Sequence, residues 1–214
     1  MDALKILSEI KPGNIFSFRI TNPVYLNFTS KNKELAKINL NSKEFSEYVF
    51  HKIKNNIGIG KYKENRTIYN RSKLFSVEAR TYHLGIDLWT RKNTKIYAIL
   101  DSKVHSFNDN NNFGDYGPTI ILEHKQKGLK FYTLYGHLSK DSLKGLFQGK
   151  IIKKGECFAK IGSDKVNGNW PSHLHFQIIL DMLHYKGDFP GVSSKKDLKK
   201  YSTICPDPNL LLRI

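Results

Sequence analysis

A chain of 214 residues, 39% hydrophobic and 12% aromatic, is long enough to bury the core of one domain and too apolar to be disordered. Its formal net charge of +16 points to an anionic partner, yet lysines outnumber arginines 29 to 6 and are spread along the chain. That distribution argues against a specific nucleic-acid reader, two cysteines exclude a disulfide scaffold, and no run of about 18 apolar residues exists to span a membrane.

The segment Met1 to Pro12 lacks a basic start, a continuous apolar stretch and a small-residue cleavage site, so it does not read as a secretory signal. A cytoplasmic setting is the expectation, with the cell envelope as the alternative if the sequence is a mature form. Residues 15 to 28 alternate apolar with polar and read as strands interrupted at Asn22-Pro23. A helix follows, with a capping-box pattern at Asn41 and Glu44 and with Phe45, Tyr48, Val49 and Ile53 at helical spacing, stopped by Asn55-Asn56 and Gly58. From Gly60 to Phe75 the chain is basic and polar and reads as loop and edge strand.

Beyond Ser76 short strands are predicted at Ile96 to Leu100, Val104 to Phe107, Thr119 to Glu123, Leu129 to Leu134, Cys157 to Ile161 and His173 to Leu180. Lys127-Gly128 is the turn of a hairpin candidate, and the tail, with Asp188-Phe-Pro-Gly191 and Cys205-Pro-Asp-Pro208, reads as loop-rich. The expected architecture is mainly β, a compact antiparallel sheet over 76–214 preceded by a small α+β extension over 1–75.

Chemistry concentrates in three short motifs. His83 and Asp87, four apart, can share one face of a strand or helix, and Gly85 between them lets the backbone bend closely around an ion. His137 follows an apolar strand in Tyr135-Gly-His-Leu138. His173 and His175 sit two apart in an apolar run, so a strand turns both imidazoles to one side, where burial is costly unless they are paired or liganded. Two histidines and one carboxylate give zinc three protein ligands and leave a position open for water, while the two remaining histidines suit general acid–base work. Spacing alone does not say whether His173 or His175 binds the metal.

From about Thr81 to Ile179 the chain resembles the lysostaphin/LytM-type zinc endopeptidases, which cut peptide cross-links of bacterial peptidoglycan. The likeness rests on His83-Leu-Gly-Ile-Asp87, Tyr135-Gly-His-Leu138, the Lys154-Gly155 turn, Ile161-Gly-Ser163 and His173-Leu-His175-Phe176. It implies a twisted antiparallel sheet with the site in an open groove, one zinc ion per chain held by His83, Asp87 and His175, and His137 with His173 as the catalytic pair. Peptide bonds would be hydrolysed by a zinc-activated water, with peptidoglycan or another peptide as partner. Two departures stand out: Asn169-Trp-Pro-Ser172 precedes the His-x-His where the family commonly has Gly-Pro, and Gln177 stands where a Glu often follows. Gly58-Ile-Gly-Lys-Tyr62, Arg66-Thr-Ile-Tyr69, Arg80-Thr-Tyr-His83 and Cys205-Pro-Asp-Pro-Asn-Leu210 also resemble the peptidase-like module found between phosphotransferase-like and class III aminotransferase domains, which implies a cytoplasmic substrate that need not be murein.

Trp170 is expected either to stack on substrate or to cap the core. Tyr116 and Tyr82 are candidate donors to a transition-state oxygen, and Arg80 a candidate for a substrate carboxylate or a surface ion pair. His51, His105, His124 and His184 have no ligand spacing.

Overall fold

A computed structural model describes residues 2–214. Its elements in chain order, short 3-10 turns aside, are α1 (Ala3–Glu9), β1 (Val24–Leu26), α2 (Lys43–Ile53), β2 (Gly58–Gly60), α3 (Lys73–Ser76), β3 (Arg80–His83), β4 (Ile86–Trp89), β5 (Lys95–Tyr97), β6 (Ser102–Asn110), β7 (Gly117–Gln126), β8 (Leu129–Gly136), β9 (Ile151–Ile152), β10 (Cys157–Lys160), β11 (His173–Ile179), β12 (Val192–Ser194), α4 (Leu198–Ile204) and α5 (Asn209–Leu212). Eight strands make one sheet in the order β1-β2-β4-β11-β8-β7-β6-β9. Every pairing in it is antiparallel except β1 beside β2. This is the mainly β, antiparallel-rich fold that the sequence pattern predicts.

Strand β11 lies inside the sheet and all seven of its residues are buried. Its period of two sorts them: Leu174, Phe176 and Ile178 enter the main apolar core, and His173, His175 and Gln177 face the other way. Neighbouring β4 does the same, sending Ile86 and Leu88 to the core. The core face therefore holds the sheet together, at roughly 1.5–3 kcal/mol for each fully buried aliphatic or aromatic side chain. The opposite face is left free to carry polar groups. The β7–β8 hairpin closes through Lys127 and Gly128, both at positive φ (49° and 81°), as a two-residue turn of the type that matches strand twist.

Several local expectations are corrected. Of residues 15–28 only Val24–Leu26 is a strand; Ile15 and Phe16 are consecutive and both buried, which a strand pleat would not allow in a single-sided core. Helix α2 is capped by Ser42, whose hydroxyl accepts from the Glu44 N–H, while the Glu44 carboxylate accepts from Asn39 N–H. The helix ends at Lys54, which turns to φ 52° ahead of the asparagines. Gly58, expected only as a helix stop, opens the sheet strand Gly58–Gly60, and the loop-rich tail also carries β12, α4 and α5 because Val192, Cys205 and Leu211 all find apolar cover. The 75/76 position falls within α3, and β1 and β2 extend the same sheet that carries β4 and β11. Among the described residues no helix is long and apolar enough to cross a membrane.

Away from the polar face, His124 is 1% exposed, with Nδ1 on the Asp101 carbonyl (3.1 Å) and Nε2 on the Thr133 hydroxyl (2.7 Å). Burial lowers its pKa to about 4, below the ordinary histidine value. The unfolded chain then takes up a proton that the folded chain refuses, so stability is full above pH ~6.5 and falls as pH drops toward 4. The loss attributable to this group is on the order of 3 kcal/mol. Urea unfolding at pH 7 and pH 4.5 should show that decline, and His124→Gln should show less of it; an equal decline in both proteins would refute the assignment.

Candidate metal centre

The polar face of β4 and β11 sets the site by register. His175 lies opposite Asp87 on one side and Gly136 on the other, and His173 lies opposite Trp89. His83 ends β3, and the chain turns at Leu84-Gly85 before Asp87 in β4, so the two residues occupy different strands instead of one face of one element. A Cβ on Gly85 would sit 2.5 Å from His175 Cε1, which explains why glycine stands there.

Three side-chain atoms converge. His83 Nε2 is 3.0 Å from His175 Nδ1, and each lies 3.1 Å from Asp87 Oδ1. A tetrahedral zinc ion with bonds of about 2.0–2.1 Å holds its ligand atoms about 3.3 Å apart, so the triangle has the size of one tetrahedral face. The outer contacts fix which ring nitrogens carry protons. His83 Nδ1 donates to the Lys61 carbonyl (3.0 Å), which can only accept. His175 Nε2 donates to Gln177 Oε1 (2.9 Å), because the Gln177 amide nitrogen is turned to the Pro190 carbonyl (3.1 Å) and Cys205 Sγ (3.2 Å). Both imidazoles thus aim lone pairs at a carboxylate oxygen, with no proton between them. A cation relieves that repulsion, and the residues fit zinc.

Electrostatics agree. His83 is 0% exposed, and burial, with the Arg66 charge, pulls its pKa to about 3, so it stands neutral and ready to ligate. Burial would raise the Asp87 carboxyl, but the Arg66 guanidinium bonded to its Oδ2 outweighs it and holds it well below the usual carboxylate range.

His137 and His173 lie beside the triangle with ring centroids 4.1 Å apart. His137, at φ 62°, donates Nδ1–H to the Asn167 carbonyl (3.0 Å), and His173 donates to that of Pro171 (2.7 Å). Each keeps Nε2 as its free basic nitrogen, that of His173 being 3.9 Å from Asp87 Oδ1. Burial lowers both, His173 to about 4. The indole of Trp89 stacks on His173 at 4.0 Å and 18°, fixing its plane.

A cavity of about 150 Å³ opens onto these groups, walled on one side by residues between Arg66 and Arg80 and on the other by Tyr185 to Val192. All five motif side chains are 0–5% exposed. Trp170 is 3% exposed in the apolar core under α2, and its Nε1–H donates to the Gly114 carbonyl at 3.0 Å. The Tyr116 hydroxyl lies 3.4 Å from His175 Nε2, and Arg80 pairs with Glu78 at 3.1 Å. Tyr82 sits in β3 opposite Ser193 and does not line the cavity. Sequence reasoning missed Arg66 as a site residue, although it is an arginine in a chain that otherwise prefers lysine.

Residues 81–186 match peptidase family M23. This segment is an M23 domain. It spans all five motif residues and leaves Lys61 and Arg66 outside. Among solved structures, the chain is similar to a zinc-containing peptidase from Vibrio cholerae, 26% identical over 46% of this chain and 27% of that one, with a TM-score of 0.37. It is also similar to the catalytic domain of the antimicrobial peptidase lysostaphin from Staphylococcus simulans (24%, 56% and 80%, TM-score 0.39). A third similarity is to the SpoIIIAH–SpoIIQ complex (23%, 57% and 85%, TM-score 0.40). The first three solved structures are covered over only 25–43% of their own length. No curated protein matches the chain.

Proposed function

We propose that the protein is a zinc-dependent metallopeptidase that hydrolyses peptide bonds, with peptidoglycan cross-links as the first substrate class. The observation that carries this reading is the triangle of His83 Nε2, Asp87 Oδ1 and His175 Nδ1, whose outer hydrogen bonds turn three lone pairs inward. Zinc held by these three atoms would supply a Lewis acid for the scissile carbonyl and acidify the attacking water. His137 and His173, neutral and with Nε2 free, accept the proton of the attacking water and return one to the leaving amine. Trp89 and the carbonyls of Asn167 and Pro171 hold the two rings in the plane that this transfer needs. A non-catalytic module on the same fold has no need of this complete set.

The small cavity, about 150 Å³, favours a second reading of the substrate, a short peptide or amide in place of a cross-linked polymer. Zinc-loaded protein is incubated with purified peptidoglycan and with short oligoglycine and D-alanyl peptides, and the products are read by mass spectrometry beside a chelated control. New stem-peptide or cross-link fragments support murein; cleavage of the short peptides alone supports the second reading. No cleavage of any of them by protein with one bound zinc contradicts the peptidase assignment.

A further inference from the structure

The segment ahead of the M23 domain reaches into the metal centre. Arg66 is 1% exposed, and its Nη1 donates to Asp87 Oδ2 at 2.5 Å, the carboxylate oxygen that points away from the triangle. Three of its other four N–H groups are also engaged: Nε on Glu64 Oε2 at 2.8 Å, Nη1 on the Tyr69 hydroxyl at 3.1 Å, and Nη2 on the Lys61 carbonyl at 3.3 Å. That same Lys61 carbonyl receives the His83 Nδ1–H. The backbone clamps the loop to β3, with Arg66 N–H on the Thr81 carbonyl (2.8 Å), Lys63 N–H on that of His83 (2.8 Å) and His83 N–H on that of Glu64 (3.0 Å). Gly60 makes room, since a Cβ there would lie 2.5 Å from Arg66 Nη2.

We propose that Arg66 is a positioning residue of the metal centre. By holding Oδ2 of Asp87 it leaves only Oδ1 to the ion, so the coordination is one-oxygen and tetrahedral instead of two-oxygen and expanded. Glu64 bears on why this is a matter of orientation more than charge. A lone guanidinium beside a cation would repel it, but the Glu64 carboxylate, 8% exposed, pairs with Arg66 and offsets that charge. The planar fork engages Asp87, Glu64, Tyr69 and Lys61 at once, which a lysine ammonium cannot do. Outer partners of this kind typically set metal affinity within 10- to 100-fold. The inference rests on the zinc reading above, and on nothing about which bond is cut.

The test uses the full chain with Arg66→Lys and Arg66→Met, zinc affinity by competition with a chromophoric chelator, and the visible spectrum of the cobalt(II)-substituted protein. Wild type is expected to bind one metal ion with the intense d–d bands of four-coordinate cobalt. Both variants should bind zinc about 10- to 100-fold more weakly, with d–d bands weakened toward those of five-coordination as Asp87 swings to offer both oxygens. A residue that merely packs would lower the urea midpoint and leave the cobalt spectrum alone. Should Arg66→Met not fold, Arg66→Lys, which keeps the buried charge, decides the matter by itself. Wild-type affinity and an unchanged spectrum in the folded variants overturn the proposal. Absence of metal binding in the wild type overturns instead the zinc reading on which it stands.

Discussion

His175→Ala is expected to abolish stoichiometric zinc binding and to lower peptide hydrolysis by at least about a thousandfold, the rate equivalent of ~4 kcal/mol. His175 supplies the Nδ1 corner of the triangle, and Gln177 and the close-packed Gly85 hold its ring in place. Removing the imidazole leaves two ligands and a gap that a methyl group cannot fill. Among the described residues, His83, Asp87 and His175 are the one group of three ligating side chains within reach of a common ion. Metal analysis after gel filtration, with hydrolysis measured on the same preparation, checks both halves. A full zinc equivalent retained by the variant would contradict the ligand assignment.

The neighbouring pair should behave in the opposite way. His137→Ala and His173→Ala are expected to keep zinc near one equivalent while losing about 10²- to 10⁴-fold in turnover, as removal of a positioned acid or base does. The distinction rests on geometry. His175 Nδ1 is 3.1 Å from Asp87 Oδ1, whereas His173 Nε2 is 3.9 Å away, with its ring held in a stack on Trp89. Loss of zinc from His173→Ala would mean that the two histidines of the motif have been given each other's roles.

That exchange of roles is where the sequence stopped. Period two said that His173 and His175 share a face, and the sheet agrees, but only cross-strand register shows that Asp87 faces His175 and Trp89 faces His173. The strands from Ser102 to Gly136 were legible because apolar alternation and the Lys127-Gly128 turn are local signals. Residues 15 to 28 misled because Ile15 and Phe16 are buried by irregular chain with Pro12 and Pro23 nearby, so an apolar rhythm appeared without a ladder. The tail looked like loop for the converse reason: α4 buries none of its own residues and is held by neighbours distant in sequence. Arg66 was invisible as a site residue, since its contact with Asp87 spans 21 positions and no periodicity encodes it. His83 and Asp87 were paired by a spacing of four, yet they meet because the chain turns at Gly85 between two strands.

The central claim is that one zinc ion sits on the face formed by His83, Asp87 and His175. Anomalous diffraction from crystals of the zinc-loaded protein, collected on both sides of the zinc edge, tests it most directly. The structure predicts a single strong peak within bonding distance of His83 Nε2, Asp87 Oδ1 and His175 Nδ1, with Asp87 Oδ2 still on Arg66. A peak elsewhere, or no peak in crystals of protein shown to carry one zinc per chain, would contradict it.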